Sequence, residues 1–250
     1  MTPLKGANGP SISIDGEARY ESVQVFAPLN LTLMAEAWTC LLGPSGVGKT
    51  TLLRALAGLD SEVTFTGSIQ ASDGLPLTGR VAYMAQSDLL MPWASVAQNL
   101  SLGPKLRGER VDQERVSRLL DAVGLREHAT KRPDALSGGQ RQRAALARTL
   151  MEDQPVILLD EPFSALDART RADMQDLAFE LLRGRTVLLV THDPGEAARL
   201  GDKIVIMSKD GLTEVAPPAS PAPRGVDDPE TLTAQGQLMA KLRDNPRNAA

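Results

Sequence analysis

Cysteine is almost absent from this chain of 250 residues, which contains only Cys40. A single thiol excludes an internal disulfide framework and a multi-cysteine zinc site within one chain, and it fits a reducing cytoplasm best. Basic residues are not in excess either, since 27 Lys and Arg stand against 31 Asp and Glu. Because no net positive field attracts a polyanion, nucleic acid is disfavoured as a partner.

Long apolar runs are also missing. A membrane-spanning helix needs about 20 mostly apolar residues, and runs such as Val156–Leu159 and Val187–Val190 are far shorter. The first ten residues contain Gly, Pro and Asn rather than a basic segment followed by an apolar stretch, so they do not resemble a secretory signal. We therefore expect a chain that is not exported and does not itself cross a membrane.

Short strand-like runs alternate with longer helix-like stretches, a pattern that predicts a parallel sheet flanked by helices. Trp38–Leu42 is apolar, ends at a glycine, and is followed by apolar residues at helical spacing. Val156–Leu159 and Thr186–Val190 resemble strands that are buried on both faces. The pattern favours an α/β fold with a central, mainly parallel sheet.

Three segments depart from this alternation. Residues 61–85 are rich in Val, Thr, Ile and Gly, which predicts short antiparallel strands in a small β layer. Residues 94–135 carry a helical pattern, and we expect a helical subdomain over about 87–136.

From Ala216 the composition shifts to Pro and Ala, so we expect one domain over 1–215 and a flexible tail over 216–250. Within that tail, Thr231–Arg243 permits either a short amphipathic helix or disorder.

A glycine-rich motif follows the first of the buried strands. It matches G-x-x-x-x-G-K-[ST], the P-loop, and its residues are Gly43, Pro44, Ser45, Gly46, Val47, Gly48, Lys49 and Thr50. The glycines let backbone N–H groups converge on nucleotide phosphates at a helix start, while Lys49 reaches the β- and γ-phosphates and Thr50 binds Mg²⁺. A glycine turn that merely caps a helix is the simpler alternative, but the strand and helix on either side favour a phosphate site.

Two carboxylates stand directly after the buried run Val156–Leu159. Asp160 and Glu161 are thereby placed at the carboxyl end of a strand, where ligands bind in open α/β sheets. In this Walker B arrangement Asp160 holds Mg²⁺ and Glu161 orients and deprotonates the attacking water. Two acids after a strand are also common in solvated loops, and it is the P-loop that favours the catalytic interpretation.

A second anion site is predicted before the helical stretch Arg141–Met151. The residues Leu136, Ser137, Gly138, Gly139 and Gln140 place backbone N–H groups at a helix N-terminus. With this motif the sequence resembles the ATP-binding cassette family, whose signature is L-S-G-G-Q. The resemblance covers residues of roughly 12–215.

The resemblance implies further site residues. Tyr20 occupies the position of the aromatic residue that stacks on adenine, with Phe26 as the second candidate and a half-buried strand tyrosine as the alternative. Gln86 is similar to the glutamine that senses Mg²⁺ and the γ-phosphate, and His192 to the switch histidine that hydrogen-bonds the γ-phosphate. The motif Ser164–Asp167 resembles the D-loop. We interpret His128 as a structural or surface histidine.

Taken together, these patterns define the expected ATP and Mg²⁺ site. The expected catalytic residues are Glu161, His192, Lys49 and Gln86. The expected metal-site residues are Thr50, Gln86 and Asp160. The expected nucleotide-binding residues are Tyr20, Gly43, Pro44, Ser45, Gly46, Val47, Gly48, Lys49, Thr50, Thr51, Ser137, Gly138, Gly139 and Gln140.

The resemblance also implies partners, because in this family the signature of one subunit closes on the ATP held by the P-loop of another. One chain has one cassette, so we expect a homodimer or a pair with a similar cassette subunit. Integral-membrane permease subunits would hold the pair at the cytoplasmic face of the inner membrane, and a periplasmic solute-binding protein would be an indirect partner.

A transporter role is favoured within the family. Only 88 positions separate Lys49 from Ser137, which leaves no room for the coiled coils of chromosome-maintenance cassettes. Leu89–Trp93 resembles a segment of importers for nitrate, sulfonates and taurine, and an anchor of the helical subdomain is the alternative role of Trp93. Trp38–Leu42 and Tyr83–Gln86 resemble the subgroup for thiamine-precursor (hydroxymethylpyrimidine) uptake. A non-transport cassette ATPase in DNA maintenance or regulation is the alternative.

Overall fold

The structure is a computed structural model that describes residues 8–59 and 63–243. Three parts of the sequence-based expectations lie outside these residues: the start of the expected domain (1–7), the beginning of the predicted β layer (61–62) and the end of the expected tail (244–250).

Nine strands run through the described part of the chain. They are β1 (Ile12–Tyr20), β2 (Val23–Leu33), β3 (Trp38–Leu42), β4 (Val63–Ala71), β5 (Val81–Met84), β6 (Val156–Asp160), β7 (Thr186–Val190), β8 (Lys203–Ser208) and β9 (Gly211–Val215). Six of them form a central sheet in the order β5-β6-β7-β3-β8-β9, which is parallel except for the β8–β9 pair. Every residue of β3, β6 and β7 is buried, which explains their continuous apolar sequences.

A smaller antiparallel sheet has the order β2-β1-β4 and packs on the P-loop side of the central sheet through side chains such as Ile14, Leu31 and Leu41. The prediction that residues 61–85 form only antiparallel strands is wrong for Val81–Met84. This strand, β5, pairs in parallel with β6 and joins the central sheet. Its alternation of buried and half-buried apolar residues suits an edge of that sheet.

Eight α-helices accompany the strands in the described residues. They are α1 (Lys49–Leu56), α2 (Val96–Leu100), α3 (Leu102–Leu106), α4 (Gln113–Ala122), α5 (Gly138–Met151), α6 (Ala168–Leu181), α7 (Pro194–Leu200) and α8 (Pro229–Arg243). Both α2 and α4 pack against α5, and the apolar face of α4 is buried through Val116, Leu119 and Leu120. None of the described helices combines the length and the apolar character that a membrane span requires.

The C-terminal segment differs from the expected flexible tail. Residues 229–243 form α8, which packs against α7 and buries Thr231, Ala234 and Leu238 at helical spacing. The Pro-rich stretch before α8 is held by Arg224, whose side chain binds the main-chain carbonyls of Pro218 and Ser220. A proline-rich composition argues against regular structure, but it does not prevent buried hydrogen bonds from fixing an irregular chain.

Candidate active site

The carboxyl ends of four neighbouring parallel strands bring the main site residues together. The P-loop follows β3, Gln86 follows β5, Glu161 follows β6, and His192 follows β7. Because β5, β6, β7 and β3 are adjacent in the sheet, these segments meet at one edge, which is where open α/β sheets bind ligands.

The P-loop requires glycine at two positions, because neighbouring atoms leave no room for a Cβ atom there. Gly48 has a φ of 106°, and a Cβ there would lie 2.9 Å from the Phe26 ring. At Gly43 a Cβ would lie 2.4 Å from the carbonyl oxygen of Met207. Phe26 is therefore buried beneath the loop, at 4% exposure, and is not available to stack on an adenine ring.

Lys49 is the first residue of α1 and is buried at 6% exposure. Its Nζ donates hydrogen bonds to the carbonyl oxygens of Gly43, at 2.7 Å, and Pro44, at 2.9 Å. Burial lowers the pKa of Lys49, an effect opposed by the negative charges of Glu161 and Asp160. The loop thus wraps around an ammonium group and fixes it at the start of the helix.

Asp160 forms the end of β6 and is 2% exposed. It accepts hydrogen bonds from Thr50 Oγ1, at 3.3 Å, and from the Tyr83 hydroxyl, at 3.1 Å. Burial raises the pKa of Asp160, while these two hydrogen bonds act in the opposite direction. The hydroxyl of Thr50 and the carboxylate of Asp160 are hard oxygen donors of the kind that Mg²⁺ prefers.

Glu161 lies between two other predicted site residues. Its Oε2 accepts a hydrogen bond from Gln86 Nε2 at 3.1 Å and lies 3.0 Å from His192 Nδ1. The backbone of Glu161 has a φ of 47°, the left-handed region that is unusual for a residue with a side chain. Such strain is common where surrounding contacts hold a functional side chain in place.

A cavity of about 390 Å³ opens beside these groups, within the size range of small-molecule sites. Its walls are formed by Val25, Ser45, Gly46, Gly48, Lys49, Thr50, Thr51, Gln86, Glu161 and His192. The predicted residues Gly43, Pro44 and Val47 lie behind this wall: the first two bind Lys49 through their carbonyls, and Val47 is buried in the core. Asp160 does not line the cavity itself, but it accepts a hydrogen bond from Thr50, which does.

Two further groups of predicted residues lie outside this cavity. Tyr20 lies at the end of β1 and is 46% exposed. The four signature residues lie at the start of α5, where Ser137 caps the helix by accepting a hydrogen bond from the Gln140 backbone while the Gln140 side chain accepts one from Ser137. The Gln140 side chain also lies 2.9 Å from His128 Nε2, so His128 helps to hold the side chain of this signature residue in place.

Comparison with known proteins agrees with this geometry. The family model described as ABC transporter matches residues 26–164. An uncharacterised ABC transporter ATP-binding protein of Haemophilus influenzae is 43% identical, in an alignment that covers 93% of this chain and 95% of the relative. The chain belongs to the ABC transporter family. It is an ATPase cassette, as the sequence motifs predict.

Further relatives of the cassette agree with the importer type. The Aliphatic sulfonates import ATP-binding protein SsuB 1 of Pseudomonas syringae pv. syringae is 42% identical, over 86% of this chain and 88% of the relative. Among solved structures, a dimeric ATP-binding cassette in a post-hydrolysis state, bound to ADP and Pi, superposes with a TM-score of 0.70 and 28% identity, over 86% of this chain and 99% of that one. The predicted fold class and family are thereby confirmed.

The structure adds residues that the motifs of the cassette do not reveal. Tyr83 binds the Walker B aspartate, and Val25 lines the cavity from β2. Glu196 of α7, at 4% exposure, accepts a hydrogen bond from Thr191 beside His192. The signals for these residues are weak, since a strand tyrosine, a strand valine and a helical glutamate are ordinary until the sheet order is known.

Proposed function

We propose that this chain is the ATP-hydrolysing motor subunit of an importer, in which two cassettes bind two ATP molecules head to tail. ATP binding and hydrolysis are coupled to the uptake of a small solute through a separate permease. The observation that carries the proposal is the convergence of Lys49, Gln86, Glu161 and His192 on one cavity at the edge of the sheet.

The phosphates of ATP are bound by the backbone N–H groups of the P-loop and by the Lys49 ammonium group. Thr51, on the cavity wall next to Thr50, adds a further hydroxyl to this region. Thr50, Asp160 and Gln86 would supply the oxygen donors that hold Mg²⁺, and the fit is supported by the Thr50–Asp160 hydrogen bond. The bound ion would supply positive charge that offsets the negative charge of the phosphates.

Glu161 is the general base of the hydrolysis. It accepts a proton from the attacking water as the water oxygen bonds to the γ-phosphorus and the bond from that phosphorus to ADP breaks. Gln86 and His192, both in contact with Glu161, hold its carboxylate in place. The His192 side chain is 60% exposed, so it can turn towards the γ-phosphate when the nucleotide enters.

The second half of the site comes from another cassette. Ser137, Gly138, Gly139 and Gln140 present a helix N-terminus outside the chain's own cavity, and in the proposed dimer they bind the γ-phosphate held by a partner. Tyr20, exposed at the end of β1, stacks on the adenine. A homodimer or a pair with a similar cassette satisfies this arrangement.

Permease subunits hold the dimer at the cytoplasmic face of the inner membrane, and a periplasmic solute-binding protein delivers the solute. The relative from P. syringae is named for aliphatic sulfonates, which favours sulfonates, with taurine, nitrate or a thiamine-precursor pyrimidine as related candidates. No observation favours the alternative of a DNA-maintenance or regulatory ATPase.

The assignment of the general base is tested by Glu161→Gln, which keeps the shape of the side chain and removes its basicity. We expect steady-state ATP hydrolysis to fall by about 100-fold or more, with ATP binding retained. The control is Glu114→Gln, since the Glu114 side chain is 88% exposed on α4, and its rate should equal that of the wild type. A Glu161→Gln variant that hydrolysed ATP at the wild-type rate would overturn the assignment.

A further inference from the structure

The C-terminal segment, residues 216–243, is fastened to α7 by a buried arginine. Arg224 is 5% exposed, and its Nη1 donates hydrogen bonds to the carbonyl oxygens of Ala198 and Gly201, both at 2.9 Å. These carbonyls belong to the last turn and C-cap of α7, where the helix itself supplies no N–H partner. Arg224 therefore closes the C-terminal end of α7.

Arg199 of α7 and Arg224 of the C-terminal segment also hydrogen-bond to each other in both directions. Arg199 of α7 donates from Nε to the Arg224 carbonyl at 2.9 Å, and the Arg224 N–H donates to the Arg199 carbonyl at 3.0 Å. The Arg199 guanidinium continues to α6, where it binds Gln175 Oε1 at 2.7 Å and Asp176 Oδ1 at 2.6 Å. The C-terminal segment, α7 and α6 are thus joined by one network of hydrogen bonds, which is buried at Arg199 and Arg224.

The opposite end of α7 carries the residues next to His192. Asp193 caps the helix by accepting a hydrogen bond from the Gly195 N–H at 2.8 Å. Gln235 of α8 packs at this end, since a Cβ on Gly195 would lie 3.4 Å from Gln235 Cδ. The C-terminal segment therefore contacts α7 at both of its ends.

The short length of α7 gives these contacts their importance. A helix of 7 residues has little stability of its own and depends on tertiary contacts for its position. His192 lies two residues before the first residue of α7 and is 3.0 Å from Glu161. A shift of α7 along or across the sheet would move His192 relative to Glu161.

We infer that the C-terminal segment positions the switch histidine, with Arg224 as the positioning residue that fixes α7. The inference rests on the proposed function, because that proposal gives His192 its role at the γ-phosphate. Arg224 itself stays remote from ATP: it acts through α7, and it is expected to affect turnover more than nucleotide affinity.

The first experiment compares Arg224→Gln with Arg185→Gln in steady-state ATP hydrolysis by the full chain. Arg185 is a matched control, since it is 1% exposed and binds the Gln154 carbonyl and Asp153, at the end of β7 opposite His192. Since small misplacements of catalytic groups are costly, Arg224→Gln should lower kcat about 10-fold and leave KM for ATP within about twofold.

The control and a conservative variant separate positioning from general damage. Arg185→Gln should lower the Tm to a similar extent without the loss of kcat, and Arg224→Lys should recover part of kcat because its ammonium group still donates to nearby carbonyls. An unchanged kcat in Arg224→Gln, or an equal loss in Arg185→Gln, would overturn the inference.

Hydrogen exchange of the wild-type chain provides a measurement that needs no variant to fold. If the C-terminal segment holds α7, the hydrogen-bonded amides of Ala197 and Gly201 open together with those of Arg224 and Leu232 and show the same protection under exchange conditions that report opening equilibria. Fast exchange at Arg224 and Leu232 beside a fully protected α7 would contradict the inference. This readout does not involve hydrolysis, so it is independent of the Glu161→Gln test of the proposed function.

Discussion

Glu196 is a buried carboxyl group that lies behind the switch histidine. Its Oε2 accepts a hydrogen bond from Thr191 Oγ1 at 2.5 Å, and its Oε1 lies 3.9 Å from Arg171 Nε. A small polar cavity of about 30 Å³ is lined by Glu196 together with Glu161 and His192. Burial raises the pKa of Glu196 to about 7, and the negative charge of Asp193 acts in the same direction.

The raised pKa of Glu196 predicts a pH dependence of stability. The unfolded carboxyl group titrates near 4.5 and the folded one near 7, so the folded state binds more protons between these values and the wild type loses stability as the pH rises through this window. Glu196→Gln removes this titration. Relative to the variant, the wild type should lose up to about 3 kcal/mol of unfolding free energy between these two pH values.

Urea denaturation of both proteins across this pH window measures the effect. Glu114→Gln, at an exposed position, serves as the control and should follow the wild type at every pH. Parallel stability profiles for the wild type and Glu196→Gln would contradict the buried, proton-binding state of Glu196.

Single residues differ in how far the sequence alone identifies them. Lys49 and Thr50 stand in a contiguous motif whose strand and helix context is local, so their place beside the cavity was predictable. Arg224 was not, because an arginine in a proline-rich stretch carries no periodicity. Its partners, such as Ala198 and Gly201, are more than 20 positions away in the sequence.

At the scale of secondary-structure elements, the connection between β5 and α2 is held by one buried side chain. Asn99 is fully buried in α2. It accepts a hydrogen bond from the Met91 N–H at 2.7 Å and donates to the carbonyl oxygens of Met91, Ala94 and Ser95. These bonds fix the loop that carries Trp93, whose side chain is exposed at 69%.

Asn99→Ala should therefore destabilise the chain by about 2–3 kcal/mol, because the Met91 N–H and the Ala94 carbonyl lose their partner, while the Met91 and Ser95 carbonyls keep only a backbone donor. Chemical denaturation measures this loss, and hydrogen exchange of residues 91–95 should rise in the same variant. The control Asn30→Ala, in which an exposed amide loses a hydrogen bond to Asp15, should change stability by less than about 0.5 kcal/mol. Equal stability losses in the two variants would contradict this account of the loop.

The elements themselves were predictable where apolar periodicity and turn signals agree, as in β3 with α1 and in β6 with α6. Pairing was less predictable, because β5 reads as one more antiparallel strand until its parallel register with β6 is known. The sequence of α8 permits either a helix or disorder, since its buried positions Thr231, Ala234 and Leu238 are few and only one of them is strongly apolar.

At the scale of the whole molecule, the cassette contains two helix N-termini suited to phosphate that do not face the same cavity. The P-loop, at the start of α1, lines the cavity with Glu161, whereas the signature, at the start of α5, does not. The sequence predicted both sites from their motifs. Their separation within one chain follows from the packing of α5 against α2 and α4. No local sequence pattern encodes this packing.

The central claim is that each active site is completed by a second cassette, and mixing two inactive variants tests it most directly. Lys49→Ala removes the P-loop ammonium group and Ser137→Arg blocks the signature, so each protein alone should hydrolyse ATP at a small fraction of the wild-type rate. In a head-to-tail dimer of the two, one site combines both defects and the other is intact. After subunit exchange, an equimolar mixture should recover roughly a quarter of the wild-type activity per chain, since half of the dimers are mixed and each has one intact site. A mixture that stays as inactive as its two components would contradict a site shared between cassettes.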